Sequence, residues 1–188
     1  MDAGITIPLR GAILRPWSED DICGLARVAN DPTIAATMRD GFPSPYTTDD
    51  ARRFIELATG SAPGLLLTIE VDGNVAGGIG IHPLTDVYRK TAEIGYWLAM
   101  PHRGRGIATA AVGALVPLAF AQFDIHRIQA GVFSNNPASM RVLEKNGFNR
   151  EAVHQKAVVK NGVVMDEVLY VQIKKGELWD QTGTTRLP

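Results

Sequence analysis

The chain has 188 residues, 45% of them hydrophobic, and a formal net charge of −1. This length and apolar content predict one domain with a substantial core, and the near-zero charge argues against nucleic acid as the main partner. The start of the chain lacks the features of a signal peptide, no stretch is apolar enough to span a bilayer, and Cys23 is the only cysteine. We therefore expect a cytoplasmic protein with neither a membrane span nor an intrachain disulfide.

The first half of the chain predicts helices and β-rich runs, bounded by capping and turn residues. In chain order they are a strand over 12–15, a helix from Ser18 to about residue 30, a short helix over 33–38, a helix over 47–60 and a hairpin over 65–71 and 75–81. Residues 41–46 hold a glycine and two prolines, so they can form neither a helix nor a central strand. Tyr46 at the end of this loop either plugs a core edge or walls a substrate pocket.

A strand over 91–98 is predicted by strict alternation of its residues. Ala92, Ile94, Tyr96 and Leu98 share one face, which leaves Glu93 as the one acid of the strand, on the other face. If Glu93 faces a cleft, it can act as a general base. His82, which precedes Pro83, has the setting of a solvated loop residue more often than that of a base.

The turn Arg103-Gly104-Arg105-Gly106 follows this strand and opens a helical pattern, which predicts an anion site. The first turn of a helix carries N–H groups without intrahelical partners, and glycine lets the backbone approach an anion closely. The two arginines add charge and forked donors. A basic surface turn is the alternative reading. A dinucleotide fingerprint is disfavoured because Thr109 occupies the third glycine position.

The rest of the chain predicts a strand over 126–132, a helix that begins at Pro137 and a final hairpin over 153–159 and 163–173. A right-handed crossover makes the strand over 126–132 parallel to the one over 91–98. The whole pattern predicts an α/β fold: one mixed sheet with helices on its faces and a core over about 12–174. Residues 175–188 are expected to form a loosely held tail.

The order Arg103-x-x-Gly106-x-Ala108 resembles the pyrophosphate-binding motif of the GNAT superfamily of acetyl-CoA-dependent N-acetyltransferases. Other segments resemble its RimJ/RimL-type branch, and together they cover nearly the whole chain. These segments are 14–16, 31–32, 46–47, 92–98, 126–128, 135–139 and 147–148. The resemblance implies a central mixed, mostly antiparallel sheet whose one parallel strand pair splays apart, with helices on both faces.

By this resemblance, the protein transfers an acetyl group from acetyl-CoA to a primary amine by direct attack in a ternary complex, without a metal ion. The amine belongs to a protein N-terminus or to a small molecule. The residues that would hold acetyl-CoA are Leu98, Ala99, Arg103, Gly104, Arg105, Gly106, Ile107, Ala108, Thr109 and Asn135.

The catalytic residues are less well marked. Many superfamily members carry a Tyr acid four residues before the Gly-Phe pair, but this chain has Leu143 there. The branch then suggests Ser139 as the acid that protonates the leaving thiolate, with a local role at the helix start as the alternative. Glu93 is the candidate base. Tyr46 and Tyr170 are candidate acceptor-side residues, although Tyr170 fits buried sheet packing equally well.

A second class of function also fits the sequence, a catalytically inactive CoA-binding regulatory module. An intact diphosphate cradle is expected in this module as well as in an active acetyltransferase, so the cradle does not distinguish them. No nucleic acid or membrane partner is expected, and the family suggests a homodimer through the last strands.

Overall fold

The computed structural model describes residues 5–60 and 63–176, which form one eight-stranded sheet and five α-helices. The strands are β1 (Ile7–Leu9), β2 (Ala12–Pro16), β3 (Leu65–Val71), β4 (Asn74–Pro83), β5 (Thr91–Leu98), β6 (Arg127–Phe133), β7 (Asn149–Lys160) and β8 (Val163–Ile173). The helices are α1 (Ile22–Ala29), α2 (Pro32–Ala35), α3 (Thr48–Thr59), α4 (Ile107–Gln122) and α5 (Pro137–Lys145). Most of the expected tail, residues 177–188, lies outside the described ranges.

The sheet order is β1-β2-β3-β4-β5-β6-β8-β7, and every neighbouring pair is antiparallel except β5 and β6. The predicted mixed, mostly antiparallel sheet is therefore confirmed. Strand β1 was not predicted, because Pro8 lies within it and proline removes a ladder donor. An edge strand tolerates proline, and β1 lies at the edge of the sheet.

Two apolar clusters occupy opposite faces of the sheet. Successive strand side chains point to opposite faces, and in β5 Leu98 packs in one cluster while Trp97 packs against the other. The Leu98 cluster includes the buried residues of α4, and the Trp97 cluster includes those of α1 and α3. Helices thus cover both faces, as predicted. Within the described ranges, no helix is both long and apolar enough to cross a membrane.

The parallel pair of strands separates along its length. Strands β5 and β6 are paired only from Thr91↔Arg127 to Glu93↔Gln129. Beyond that point β5 continues to Leu98 and β6 to Phe133, with β4 and β8 as their outer neighbours. The predicted splay is therefore present, and it opens a gap between the two strands.

The helices differ in how they begin. Helices α2, α3 and α5 start at Asp31, Thr47 and Asn136, whose side chains accept a hydrogen bond from a first-turn N–H. Helix α4 starts at Gly106, and no side chain caps it. The first-turn N–H groups of α4 therefore point out of the helix without a side-chain cap, at the end of the gap between β5 and β6.

Arg15 of β2 ties the sheet to the turn that precedes α1. Its Nη1 and Nη2 donate to the Asp21 carboxylate at 2.7 and 2.8 Å, and its Nε donates to Glu70 of β3. The Asp21 side chain is only 7% exposed. Asp21 also accepts from the backbone N–H of Ser18, so one buried carboxylate fixes both the helix start and its position on the sheet.

We predict that Arg15→Met lowers the free energy of unfolding by about 3 kcal/mol, because it leaves the buried Asp21 charge without its cation. Arg127→Met is the matched control: the Arg127 side chain is also 25% exposed and also pairs with an acid through two nitrogens, but that acid, Glu151, is 45% exposed. The control should lose less than about 1 kcal/mol. Equal losses in urea denaturation would contradict the structural importance of Asp21.

Candidate functional site

A continuous cavity of about 840 Å³ occupies the gap between β5 and β6 and extends to the loop that precedes α3. Its walls come from β4, β5, β6, the glycine turn, the first turn of α4, and residues of α2, α3 and α5. Ten of the predicted site residues line it: Tyr46, Glu93, Leu98, Arg103, Gly104, Gly106, Ile107, Ala108, Thr109 and Ser139. Ala99, Arg105, Asn135 and Tyr170 are not among the lining residues.

The glycine turn has the backbone geometry of an anion cradle. Gly104 and Gly106 have φ values of 75° and 78°, in the left-handed region that favours glycine. A Cβ placed on either residue would meet no heavy atom within 4 Å. The space in front of the turn is therefore open, and an anion there would face the uncapped N–H groups at the start of α4.

The two arginines of the turn are engaged with protein atoms. Arg103 Nε donates to the Leu98 carbonyl at 2.8 Å, and Arg105 Nη1 lies 3.3 Å from His102 Nδ1. Arg103 thus fixes the turn against the end of β5. Within the described ranges, Nη1 and Nη2 of Arg103 make no hydrogen bond to the protein, so these terminal nitrogens are the part of the side chain that can contact a ligand.

The open edge of β5 presents backbone donors to the gap. Ala99 N–H donates to the Ala76 carbonyl at 2.8 Å, so it points to the β4 side. Backbone groups of successive strand residues point to alternate edges, which directs those of Leu98 toward the gap. Arg103 already occupies the Leu98 carbonyl. The N–H of Leu98 therefore faces a ligand between the strands, and by the same alternation so does the N–H of Tyr96.

Ser139 lies in the first turn of α5 and is bonded to Tyr96 of β5. Its backbone N–H donates to Asn136 Oδ1 at 3.1 Å, so Asn136, and not Asn135, caps the helix. Ser139 Oγ lies 2.9 Å from the Tyr96 hydroxyl, which also lies 3.1 Å from the Ser139 carbonyl oxygen. Burial raises the pKa of Tyr96 to about 12, although the hydrogen bond with Ser139 opposes this shift. Tyr96 therefore stays protonated at neutral pH and can donate.

Sequence reasoning missed Tyr96 as a functional candidate. It shares the inward face of β5 with Ala92, Ile94 and Leu98, and that pattern indicates only core packing. The contact with Ser139 joins residues 43 positions apart, so no local pattern could have indicated it.

Glu93 lies at the other end of the cavity in an ion pair with Arg39. Arg39 Nη1 donates to Glu93 Oε2 at 3.0 Å, and Nη2 donates to Oε1 at 3.3 Å. Arg39 comes from the segment between α2 and α3, and its side chain is 68% exposed, against 29% for Glu93. Both carboxylate oxygens of Glu93, the candidate base, therefore already accept a hydrogen bond from the exposed Arg39 side chain.

His82 of β4 is the cross-strand partner of Glu93 and also lines the cavity. Desolvation lowers the pKa of His82 below its ordinary value, while the nearby Glu93 charge opposes the shift. The neutral imidazole is thus favoured at neutral pH, and it is a second group that can accept a proton.

The two candidate acceptor-side tyrosines differ in position. Tyr46 is buried and lines the cavity, and its ring centroid lies 5.0 Å from that of Phe42, so it both plugs the core edge and walls the cavity. Tyr170 is buried in β8, and its hydroxyl donates to Glu144 Oε1 of α5 at 2.7 Å. The structure therefore places Tyr170 in sheet-to-helix packing, outside the cavity wall.

Comparison with known proteins agrees with this geometry. Residues 12–149 match the family model of the acetyltransferase (GNAT) domain. The chain is 35% identical over 147 residues to the putative ribosomal N-acetyltransferase YdaF of Bacillus subtilis. This match covers 78% of this chain and 75% of YdaF. It is 43% identical over 95 residues to the probable N-acetyltransferase YjcK of the same organism, and this match spans 50% of the chain and 52% of YjcK.

Among solved structures, the fold matches the ribosomal L7/L12 α-N-protein acetyltransferase RimL in complex with coenzyme A. The TM-score is 0.79 at 23% identity, and the match covers 90% of this chain and 98% of RimL. At that identity the likeness concerns the fold. Since the family model spans most of the chain and YdaF matches over three quarters of its own length, this chain belongs to the GNAT acetyltransferase family.

Proposed function

We propose that the protein transfers the acetyl group of acetyl-CoA to a primary amine, which attacks directly in a ternary complex. The observation that supports this most is the course of the cavity. It runs from the uncapped start of α4, along the open edge of β5, to the Glu93 carboxylate. One end suits a diphosphate and the other suits an amine, and RimL, whose fold this chain shares, binds coenzyme A in its solved structure.

The residues at the α4 end fit acetyl-CoA. The left-handed turn at Gly104 and Gly106 and the N–H groups at the start of α4 would hold the diphosphate, with Arg103 adding charge. Leu98 N–H would bond the pantetheine arm or the thioester oxygen. When bound, acetyl-CoA supplies an acetyl group activated as a thioester.

Proton transfer uses the two ends of the cavity. Glu93 accepts one proton from the acceptor ammonium, the free amine forms the C–N bond as the C–S bond breaks, and the new amide nitrogen releases its second proton to water. The thiolate leaves toward Ser139, whose hydroxyl donates a proton. The Tyr96 hydroxyl, 2.9 Å from Ser139 Oγ, then turns from the Ser139 carbonyl oxygen to donate to Oγ, and water restores the proton of Tyr96. The products are an acetylated amine and the free thiol of CoA.

The direct test is release of free thiol from acetyl-CoA in the presence of amines. The panel includes peptides with free N-termini, since YdaF and RimL are named for ribosomal proteins, and small primary amines. Amine-dependent release together with an acetylated product supports the proposal. CoA binding without amine-dependent release favours the inactive regulatory module.

Gly106→Ala should weaken CoA binding by about tenfold or more, because its methyl group enters the diphosphate position and removes at least one charge-assisted contact. Gly73→Ala is the matched control. Gly73 lies in the β3–β4 turn at φ 74°, close to the 78° of Gly106, and a Cβ on it also meets nothing within 4 Å. Both variants carry the same backbone strain, so only Gly106→Ala should lose affinity for CoA. If calorimetric titration gives the two variants equal affinities for CoA, the glycine turn does not hold the diphosphate.

Ser139→Ala should lower kcat by about 10²-fold with little change in the KM for acetyl-CoA, as expected for loss of a general acid. Ser139→Cys should recover part of the rate, because a thiol still donates. Tyr96→Phe should lower kcat by a smaller factor, and adding it to Ser139→Ala should cause no further loss, since both act on one proton. If Tyr96→Phe is fully damaging in the Ser139→Ala background, Tyr96 is itself the acid.

The comparison of Glu93→Gln with His82→Gln identifies the base. We expect Glu93→Gln to lower kcat/KM by about 10² to 10⁴-fold, the usual contribution of a general base. His82→Gln should lower kcat/KM by much less, because His82 lies beside Glu93, the residue that accepts the proton, as its cross-strand partner. A pH profile that loses its acidic limb only in His82→Gln would assign the base to His82 instead.

A further inference from the structure

At the acceptor end of the cavity, Arg39 and Glu93 form a bidentate ion pair. Arg39 and Glu93 both line the cavity and meet fork to fork, through two hydrogen bonds of 3.0 and 3.3 Å. The two residues are 54 positions apart in the chain, so tertiary folding brings them together. An acceptor that reaches Glu93 must therefore displace a guanidinium that already satisfies both carboxylate oxygens.

The chemistry of this exchange depends on the charge of the acceptor. A simple cationic amine that bonds Glu93 would leave Arg39 without its partner, and an anion that bonds Arg39 would leave Glu93 unpaired. Separating the pair is unfavourable chiefly for Glu93, whose side chain is 29% exposed, whereas the exposed Arg39 loses an opposite charge that a carboxylate on the acceptor can replace. A molecule with both an ammonium and a carboxylate replaces one ion pair by two. The planar guanidinium is also the side chain best matched to a carboxylate.

Two other acids near this end are held by other groups. Asp50 accepts hydrogen bonds from the N–H and the hydroxyl of Thr47 at the start of α3 and pairs with Arg53. Glu167, whose charge acts on Arg39, lies 3.1 Å from His154 Nδ1. Arg39 and Glu93 are therefore the pair at this end that an acceptor can open.

The backbone at Arg39 is held by a turn, in which Phe42 N–H donates to the Arg39 carbonyl at 2.9 Å, and the Arg39 side chain bonds to Glu93. Asp40 accepts a hydrogen bond of 2.7 Å from Lys160 Nζ of β7, and the Lys160 side chain is buried. The Arg39 side chain is mostly exposed. The guanidinium can thus turn from Glu93 to an incoming carboxylate without movement of the loop.

Around this pair the walls are apolar and aromatic. Phe42 and Trp97 lie with ring centroids 5.9 Å apart, and Phe54 and Leu66 also line the cavity. Such walls favour an apolar substituent on the acceptor.

We propose that the acceptor is a zwitterion: a primary amine with a carboxylate close to it and an apolar substituent. Glu93 binds the ammonium and then accepts its proton, and Arg39 binds the carboxylate. This inference rests on the proposed acetyl transfer. The same chemistry has two sources, a free α-amino acid or a peptide N-terminus that is followed by an acidic residue.

The test compares two matched pairs of acceptors by initial rates of thiol release. One pair is L-phenylalanine and L-phenylalaninamide, and the other is the dipeptide amides Phe-Glu and Phe-Gln. We expect kcat/KM to be about tenfold or more higher for the carboxylate-bearing member of one pair, the effect of one charge-assisted hydrogen bond. Preference in the first pair indicates a free amino acid, and preference in the second indicates a peptide.

Equal rates within both pairs would overturn the inference and leave acetyl transfer intact. The same holds if all four are inert while other amines react. If no amine of any kind supports thiol release, the proposed function fails, and the inference fails with it.

Arg39→Gln provides the residue-level test. It should lower kcat/KM for the preferred acid to the value of its neutral partner, while the neutral partner keeps or gains rate because Glu93 is no longer occupied. Arg39→Lys should restore part of the preference. Arg52→Gln is the control, because Arg52 is an exposed arginine of α3 outside the cavity wall and its loss changes the net charge equally. Equal losses for acid and amide in Arg39→Gln would make Arg39 a structural partner of Glu93 and contradict the proposal.

Discussion

The separation of β5 from β6 after three paired residues is the constraint on which the rest of the site depends. A strand edge inside a sheet leaves backbone groups that need partners, because buried N–H and C=O groups are rarely left unpaired. Arg103 satisfies one of these groups, because its Nε donates a hydrogen bond to the Leu98 carbonyl. The remaining edge, together with the uncapped start of α4, forms a long binding surface made of backbone groups. Helix α4 must begin there, since it connects the two parallel strands.

The two ends of the cavity are built differently, and this difference decides how much could be read from the sequence. The end proposed for acetyl-CoA consists of backbone conformations that glycines and a helix start dictate locally, so the left-handed backbone at Gly104 and Gly106 and the strand over 91–98 could be predicted from short segments. The acceptor end consists of side chains that tertiary folding brings together. The Arg39–Glu93 contact spans 54 positions and the Tyr96–Ser139 contact spans 43, and no periodicity or turn chemistry encodes such pairs.

Some residues were ambiguous for a reason that the structure makes plain. Tyr170 and Tyr96 both alternate into buried faces of strands, and both hydroxyls bond to α5, through Glu144 and Ser139 respectively. Tyr96 borders the gap because β5 is splayed from β6, whereas Tyr170 lies on β8, which pairs with β6 on one side and β7 on the other. Position relative to the gap, and not residue type or burial, separates the candidate functional tyrosine from the structural one.

We propose that acetyl-CoA binds in the gap between β5 and β6. A crystal structure of the protein with CoA tests this binding site. We expect the pantetheine arm to lie between the two strands with Leu98 N–H as a donor, and the diphosphate to lie on the turn from Gly104 to the start of α4. Density for CoA at another surface, with the gap and the glycine turn unoccupied, would contradict it.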